Sequence, residues 1–237
     1  MENLSLSQWI SRSGVASRRK AAELVRAGRV AVDREIVREP GLKVSPDACV
    51  TLDGVELKPK TTHHYIMLNK PRGYVSTNED PHAKLKAVDL IDLADAPRLF
   101  SAGRLDKESE GLLIFSDDGE YVAKLTHPRY RIFKRYVVDL TRPLREKEIA
   151  QMMAGVEDDG EMLKAVAVTA IGKKQYEFLL NEGKKREIRR LTAHFGAPTV
   201  RLRRVAQGKL ALGDLAEGKF RELSPAEVAL SLISEEI

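Results

Sequence analysis

The residues best placed to do chemistry lie in the run Gly103-Arg104-Leu105-Asp106-Lys107-Glu108-Ser109-Glu110-Gly111-Leu112-Leu113-Ile114-Phe115-Ser116. Asp106 falls in a short loop between two apolar, strand-like stretches, and a loop on a rigid scaffold is where reactive groups are usually carried. Taken alone, with acidic neighbours at Glu108 and Glu110, it reads as a turn residue. A second concentration is cationic: from Gly183 to Lys209 stand nine lysines and arginines against one acid, Glu187. Four glutamates without a Lys or Arg close the chain from Glu222 to Ile237. A basic block set apart from the acids suits a polyanionic partner. A third group, Arg18, Arg19 and Lys20, follows Ser17 in the first turn of a helix. There the backbone N–H groups favour an anion, so side chains and helix terminus can hold phosphates together. Arg29, after Gly28, belongs to the same basic segment.

These residues must be positioned by a chain of 237 residues, enough for one large domain or two modest ones, with 43% apolar residues to build a core. The net charge is +5 and the pI about 9.2. A single cysteine, Cys49, excludes an intramolecular disulfide and a thiolate metal cluster and fits a reducing compartment. The start MENLSLSQWISRSG lacks the pattern of a signal peptide, and no run approaches the ~18 apolar residues of a membrane span, so the expected location is the cytoplasm, away from membranes. His63, His64, His82, His127 and His194 lack ligand spacing and read as surface or capping residues, so no metal site is expected.

Residues 1–60 read as a small module, closed by the linker-like Lys58-Pro59-Lys60-Thr61-Thr62, and residues 61–237 as a second domain. In the module, Ser17 caps a helix that Gly28 ends, with Ala22 and Val25 on one face. Trp9 joins Leu6 and Ile10 in the core, and Asp53-Gly54 marks a hairpin. Beyond Tyr65, strands are expected at 65–69, 98–102, 111–116, 134–140, 164–171, 175–181 and 199–205, and helices at 119–125, 143–154, 184–195 and 225–234. Their irregular alternation predicts an α+β domain rather than a doubly wound parallel sheet.

The segment from Ser17 to Asp33, with the valine hairpin after it, resembles the S-four-type RNA-binding domain over most of residues 4–57. GRLDKESEGLLIFSDDG resembles the signature loop of the pseudouridine synthases of ribosomal RNA, in the branch with an S-four-type module ahead of the catalytic domain. LNKPRGYVST and LNEGKKREIRRL resemble that branch's first and third motifs. The resemblance implies a mixed, largely antiparallel central sheet flanked by helices. It further implies that Asp106 forms a covalent adduct with the target nucleotide, attacking either the ribose or carbon 6 of uracil. By the same resemblance Tyr136 stacks on the flipped uracil and helps remove the carbon 5 proton, and Arg189 pairs with Asp106, with Arg190 the neighbouring alternative. Ile188 packs against the base, and Arg104 helps hold it flipped out. Lys185 and Arg190 stand with them on the substrate side, while Arg18, Arg19, Lys20 and Arg29 contact RNA. Without the motifs, Tyr136 is an ordinary half-buried strand tyrosine. The glycosidic bond that breaks is replaced by a carbon–carbon bond, so no cofactor is implied.

The third motif departs from the pattern at Arg186-Glu187, where many relatives carry His-Gln. The expected substrate is one uridine of ribosomal RNA, free or in a ribosome assembly intermediate, with large-subunit RNA preferred on the EGKKREIRR run, and a monomer is expected. The competing readings are an RNA-binding ribosome-assembly protein without catalysis and an rRNA methyltransferase. The second would need a Gly-rich cofactor loop near the start of the second domain, which the sequence lacks.

Overall fold

Apolar strands build the sheets of this chain, and residues with positive φ turn several of their hairpins. The computed structural model describes residues 3–77, 84–94 and 98–234; His82, Glu235 and Glu236 lie outside them. The chain divides into two compact units, Met1–His63 with Asp117–Gly119, and His64–Ser116 with Glu120–Ile237.

The first unit holds helices α1 (Leu6–Arg12) and α2 (Arg18–Arg26) and strands β1 (Val30–Val32), β2 (Glu35–Val37), β3 (Val50–Leu52) and β4 (Val55–Leu57). The strands form an antiparallel sheet in the order β2-β1-β3-β4. The Ser17 hydroxyl accepts from the Lys20 amide at 3.2 Å, the cap expected for α2. Its buried face is Ala21, Leu24 and Val25; Ala22, expected there, is only partly buried because it lies about 100° round the helix from Ala21. Trp9 is 5% exposed and donates its indole N–H to the Leu57 carbonyl at 3.2 Å. Asp53 and Gly54 take φ of +50° and +84°, the twist a two-residue hairpin wants. Asp33 and Arg34 do the same at +50° and +75° without a glycine, so that hairpin carried no marker in the sequence.

The second unit is built on a nine-stranded sheet. Its strands are β5 (Tyr65–Lys70), β6 (Phe100–Ser101), β7 (Glu110–Ser116), β8 (Lys134–Leu140), β11 (Ala167–Ala170), β12 (Gln175–Leu180), β13 (Thr199–Gln207), β14 (Leu210–Ala211) and β15 (Phe220–Glu222). A separate hairpin pairs β9 (Val156–Asp158) with β10 (Glu161–Leu163). The main order is β11-β12-β8-β13-β7-β5-β15, with β6 on β7 and β14 on β13. Only β13 and β7 run parallel, so the sheet is mixed and mostly antiparallel. One face carries Ile66, Leu68, Phe115, Val138 and Phe178 in the larger core. The other buries Met67, Leu112 and Ile114 against Tyr121 and Leu125 of helix α3 (Gly119–Thr126).

The remaining helices are α4 (Glu146–Ala154), α5 (Glu187–His194) and α6 (Pro225–Ser231). Helix α5 starts three residues later than expected, because Arg186 sits in the left-handed region at φ +53° and cannot continue a right-handed turn. The strand expected at 164–171 is the shorter β11, and the sequence did not mark β9, β10, β14 or β15. The α6 capping box is present, with the Ser224 amide donating to Glu227 at 3.0 Å. Among the described residues no helix is long and apolar enough to cross a membrane.

Candidate active site

Strand β7 delivers the Asp106 loop, and Gly111 fixes where that strand lies. It pairs with Arg204 of β13 in parallel register, and a Cβ at Gly111 would stand 2.2 Å from the Arg204 carbonyl oxygen. Glycine, at φ +102°, therefore permits the close approach that sets the loop. On the next strand, a register shift between Arg135 and Tyr136 puts a bulge opposite the tyrosine, a device that re-aims side chains locally.

The Asp106 backbone is fastened from several directions. The Ser76 hydroxyl donates to the Leu105 carbonyl at 2.8 Å and accepts from the Leu105 amide at 3.0 Å. The Gly73 amide donates to the Lys107 carbonyl at 2.7 Å. The Lys70 ammonium, fully buried, donates to the carbonyls of Ser109 (2.7 Å), Pro71 (3.0 Å) and Asp106 (3.3 Å). Arg189 donates to the Glu108 carbonyl at 3.0 Å. The partners that satisfy these backbone groups thus also hold the loop's shape.

The Asp106 side chain is left free by these contacts, with no hydrogen bond or ion pair among the described residues. It lines a cavity of about 530 Å³ with Arg104, Tyr136, Lys185, Ile188 and Leu202, among others. That volume suits one nucleoside. Tyr136 and Ile188 are 7% and 3% exposed and give the cavity an apolar wall, while Arg104 and Lys185 are exposed cations at its edge. The Tyr136 hydroxyl makes no hydrogen bond among the described residues.

Two of the expected arginines sit differently. Arg189 forms no ion pair with Asp106; its guanidinium goes to the Glu108 carbonyl and, at 3.5 Å, to the Ser109 hydroxyl, so it grips the loop backbone. Burial lowers its pKa, opposed by the charges of Asp106 and Glu108. Arg190, expected on the substrate side, turns away from the cavity because one residue moves it about 100° round α5. It reaches the β9–β10 hairpin, binding the carboxylates of Asp158 and Glu161 at 2.5 Å each. In the first unit, Arg18 and Arg19 are exposed with no recorded partner among the described residues. Lys20 is exposed beside Glu23 at 2.9 Å, and Arg29 is clamped by both oxygens of Asp53.

The sequence reading missed Lys70, Ser76 and Glu108 as parts of the site. Lys70 and Ser76 stand in LNKPRGYVST, where a lysine inside an apolar strand was the available signal. Burial pushes Lys70 down to about 8, against the pull of Asp106, Glu108 and Glu110. No group of three or more metal-ligating side chains occurs among the described residues. His127 caps a short turn by accepting from the Arg129 amide at 3.2 Å, the structural role expected of it. A free carboxylate, an aromatic ring and a cationic rim round a nucleoside-sized cavity can bind an extruded base and attack it.

Residues 64–194 match the RNA pseudouridylate synthase family, and residues 5–48 match the S4 domain. An uncharacterized RNA pseudouridine synthase of Aquifex aeolicus (strain VF5) is 37% identical over 97% of this chain and 94% of that protein. Ribosomal small subunit pseudouridine synthase A of Escherichia coli (strain K12) is 33% identical over 95% of this chain and 99% of that protein. A solved pseudouridylate synthase superposes with a TM-score of 0.71 and 29% identity, covering 97% of this chain and all of that one. With both matches in order and the likeness running through nearly the whole length, the chain belongs to the RNA pseudouridine synthases, isomerases of the branch that carries an S4 domain ahead of the catalytic one.

Proposed function

We propose that the protein converts a uridine of ribosomal RNA to pseudouridine, with Asp106 as the nucleophile that forms a covalent adduct. The observation that carries this reading is the unpaired Asp106 carboxylate facing the cavity from a loop whose backbone is fastened by Ser76, Gly73, Lys70 and Arg189. In the reaction the bond from uracil N1 to the ribose anomeric carbon breaks and a bond from carbon 5 forms. The carbon 5 proton leaves and N1 gains one, so atoms balance without reductant, metal or nucleotide. Attack by the carboxylate on the anomeric carbon or on carbon 6 both fit this balance. Tyr136 supplies a face for the base and a hydroxyl near the proton that must be lost. Ile188 packs against the ring, and Arg104 and Lys185 meet the flanking phosphates. Arg189 acts as a positioning residue through the loop backbone. Residues 1–60, through Arg18 and Arg19 foremost, dock the RNA, and a loop or bulge is the easier target because its base is already unstacked.

The third motif favours large-subunit RNA, whereas relatives with a subunit in their names at 32–33% identity are small-subunit enzymes. Both RNAs therefore belong in the experiment. Tritium release from RNA labelled at uracil carbon 5, taken from a strain lacking this gene, reads the reaction directly. Wild type releases tritium from one of the two RNAs, and Asp106→Asn releases less than about a hundredth as much while its RNA affinity stays within a few-fold. Binding without release from either RNA would make this an RNA-binding assembly protein instead.

A further inference from the structure

Not all of the cations lining the cavity are free. Arg104, Lys107 and Lys185 have no recorded partner among the described residues, while Lys184 is held by Glu182 at 3.0 Å and Arg186 by Glu108 at 2.9 Å. The second pair joins two loops: Glu108 lies two residues beyond Asp106, and Arg186 immediately precedes α5 in a left-handed conformation. The Arg186 hydrogen bond holds the Glu108 carboxyl below its ordinary range, so the pair is ionised at neutral pH.

The two side chains are 43% and 44% exposed. An ion pair so open to water shifts an equilibrium by about fivefold or less. It cannot be what fixes the catalytic loop, and the loop does not need it, since Ser76, Gly73, Lys70 and Arg189 already hold the backbone. At 2.9 Å one Glu108 carboxylate oxygen accepts a charge-assisted hydrogen bond from the Arg186 guanidinium, as an oxygen of an RNA phosphate also would.

We infer that Glu108 stands in for an RNA phosphate: it occupies Arg186 at the edge of the cavity until a phosphate flanking the target nucleotide displaces it. Glu108 is then a specificity-determining residue. RNA that does not reach the cavity gains nothing from Arg186, because the exchange of one oxyanion for another happens only beside Asp106. This inference rests on the reading of the cavity as the uridine site.

The test is a double-mutant cycle read by equilibrium binding of the full-length protein to unmodified ribosomal RNA transcripts of both subunits. Glu108→Gln should tighten binding two- to fivefold, the amount by which the exposed pair competes. Arg186→Gln should weaken it and lower the slope of log K on log salt by about 0.7–0.9, one phosphate contact. The double variant should bind like Arg186→Gln, because Glu108 acts only through Arg186. Equal tightening by Glu108→Gln in both backgrounds would reduce Glu108 to a general negative charge and overturn the inference. A lowered melting temperature in Glu108→Gln with unchanged affinity would make the pair a brace and overturn it as well. The cycle needs no turnover, so failure of the uridine-site reading shows separately, in the tritium release of Asp106→Asn.

Discussion

Ser76 holds Leu105 by both of its backbone polar groups: the serine hydroxyl donates to the Leu105 carbonyl at 2.8 Å and accepts from its amide at 3.0 Å. The residue so held is the one immediately before Asp106, and Ser76 is 5% exposed, so water cannot replace it easily. Ser76→Ala leaves a buried amide and a buried carbonyl without that partner, at a cost of about 1–3 kcal/mol. More telling is the reaction itself. A nucleophile displaced by about 1 Å loses up to about a hundredfold in rate. Ser76→Ala should therefore lower kcat for tritium release by about ten- to a hundredfold with KM near wild type, and Ser76→Thr, which keeps the hydroxyl, should recover much of it. Full kcat in the alanine variant would show that the loop holds its shape without this residue.

Lys70 links the loop to pH. Burial depresses its pKa to about 8, and that of Lys134 to about 8 as well. Both lie below the unfolded value of about 10.4, so between those limits the unfolded chain binds more protons and stability rises with pH. Below pH 8 both states are charged and the contribution is flat. Lys70→Met should flatten part of the rise between pH 8 and 10 in denaturant titrations. It should also lower kcat, because the carbonyls of Ser109, Pro71 and Asp106 lose their shared donor. A wild-type stability that falls from pH 8 to 10 would contradict the assignment of these lysines as buried and charged.

How far the sequence carried the site can be seen in α5. The basic run and the buried face with Ile188 and Leu191 were legible, since apolar residues three and four apart define that face, while the roles expected of Ile188 and Arg189 came from the resemblance of the third motif. The start of the helix and the partners of its arginines were not. Arg186 adopts a left-handed conformation that no glycine announces, and the acceptors of Arg189 are backbone carbonyls, which every residue has. Arg190 binds Asp158 and Glu161 across a hairpin brought there by tertiary structure, so no local spacing pointed to it. In the same way, Asp106 was found through its motif, while Ser76 and Lys70, which hold it, stand at least 30 residues earlier in a segment that reads as a strand and turn.

Arg189 and Arg190 should separate cleanly. Arg189→Ala removes the grip on the Glu108 carbonyl and should lower kcat with little change in the salt dependence of RNA binding. Arg190→Ala frees Asp158 and Glu161 and loosens the β9–β10 hairpin from α5, lowering the melting temperature while leaving the salt slope unchanged. A drop of about one unit in the slope for Arg190→Ala would place it on RNA after all.

In the first unit the four expected RNA contacts are unequal. Arg29 is held by both oxygens of Asp53 and Lys20 by Glu23, so a phosphate would have to displace a carboxylate to reach either. Arg18 and Arg19 stand exposed in the first turn of α2, where the amide N–H groups add to the attraction for an anion. Arg18→Gln with Arg19→Gln should therefore raise KM on ribosomal RNA several-fold and lower the salt slope by about 1.4–1.8, two phosphate contacts, with kcat unchanged. Arg29→Gln should move the slope by less than half a contact, because the charge it removes is already neutralised. Equal effects from the two sets would mean that Asp53 releases Arg29 on binding. A double variant with wild-type KM and slope would take α2 out of the RNA interface.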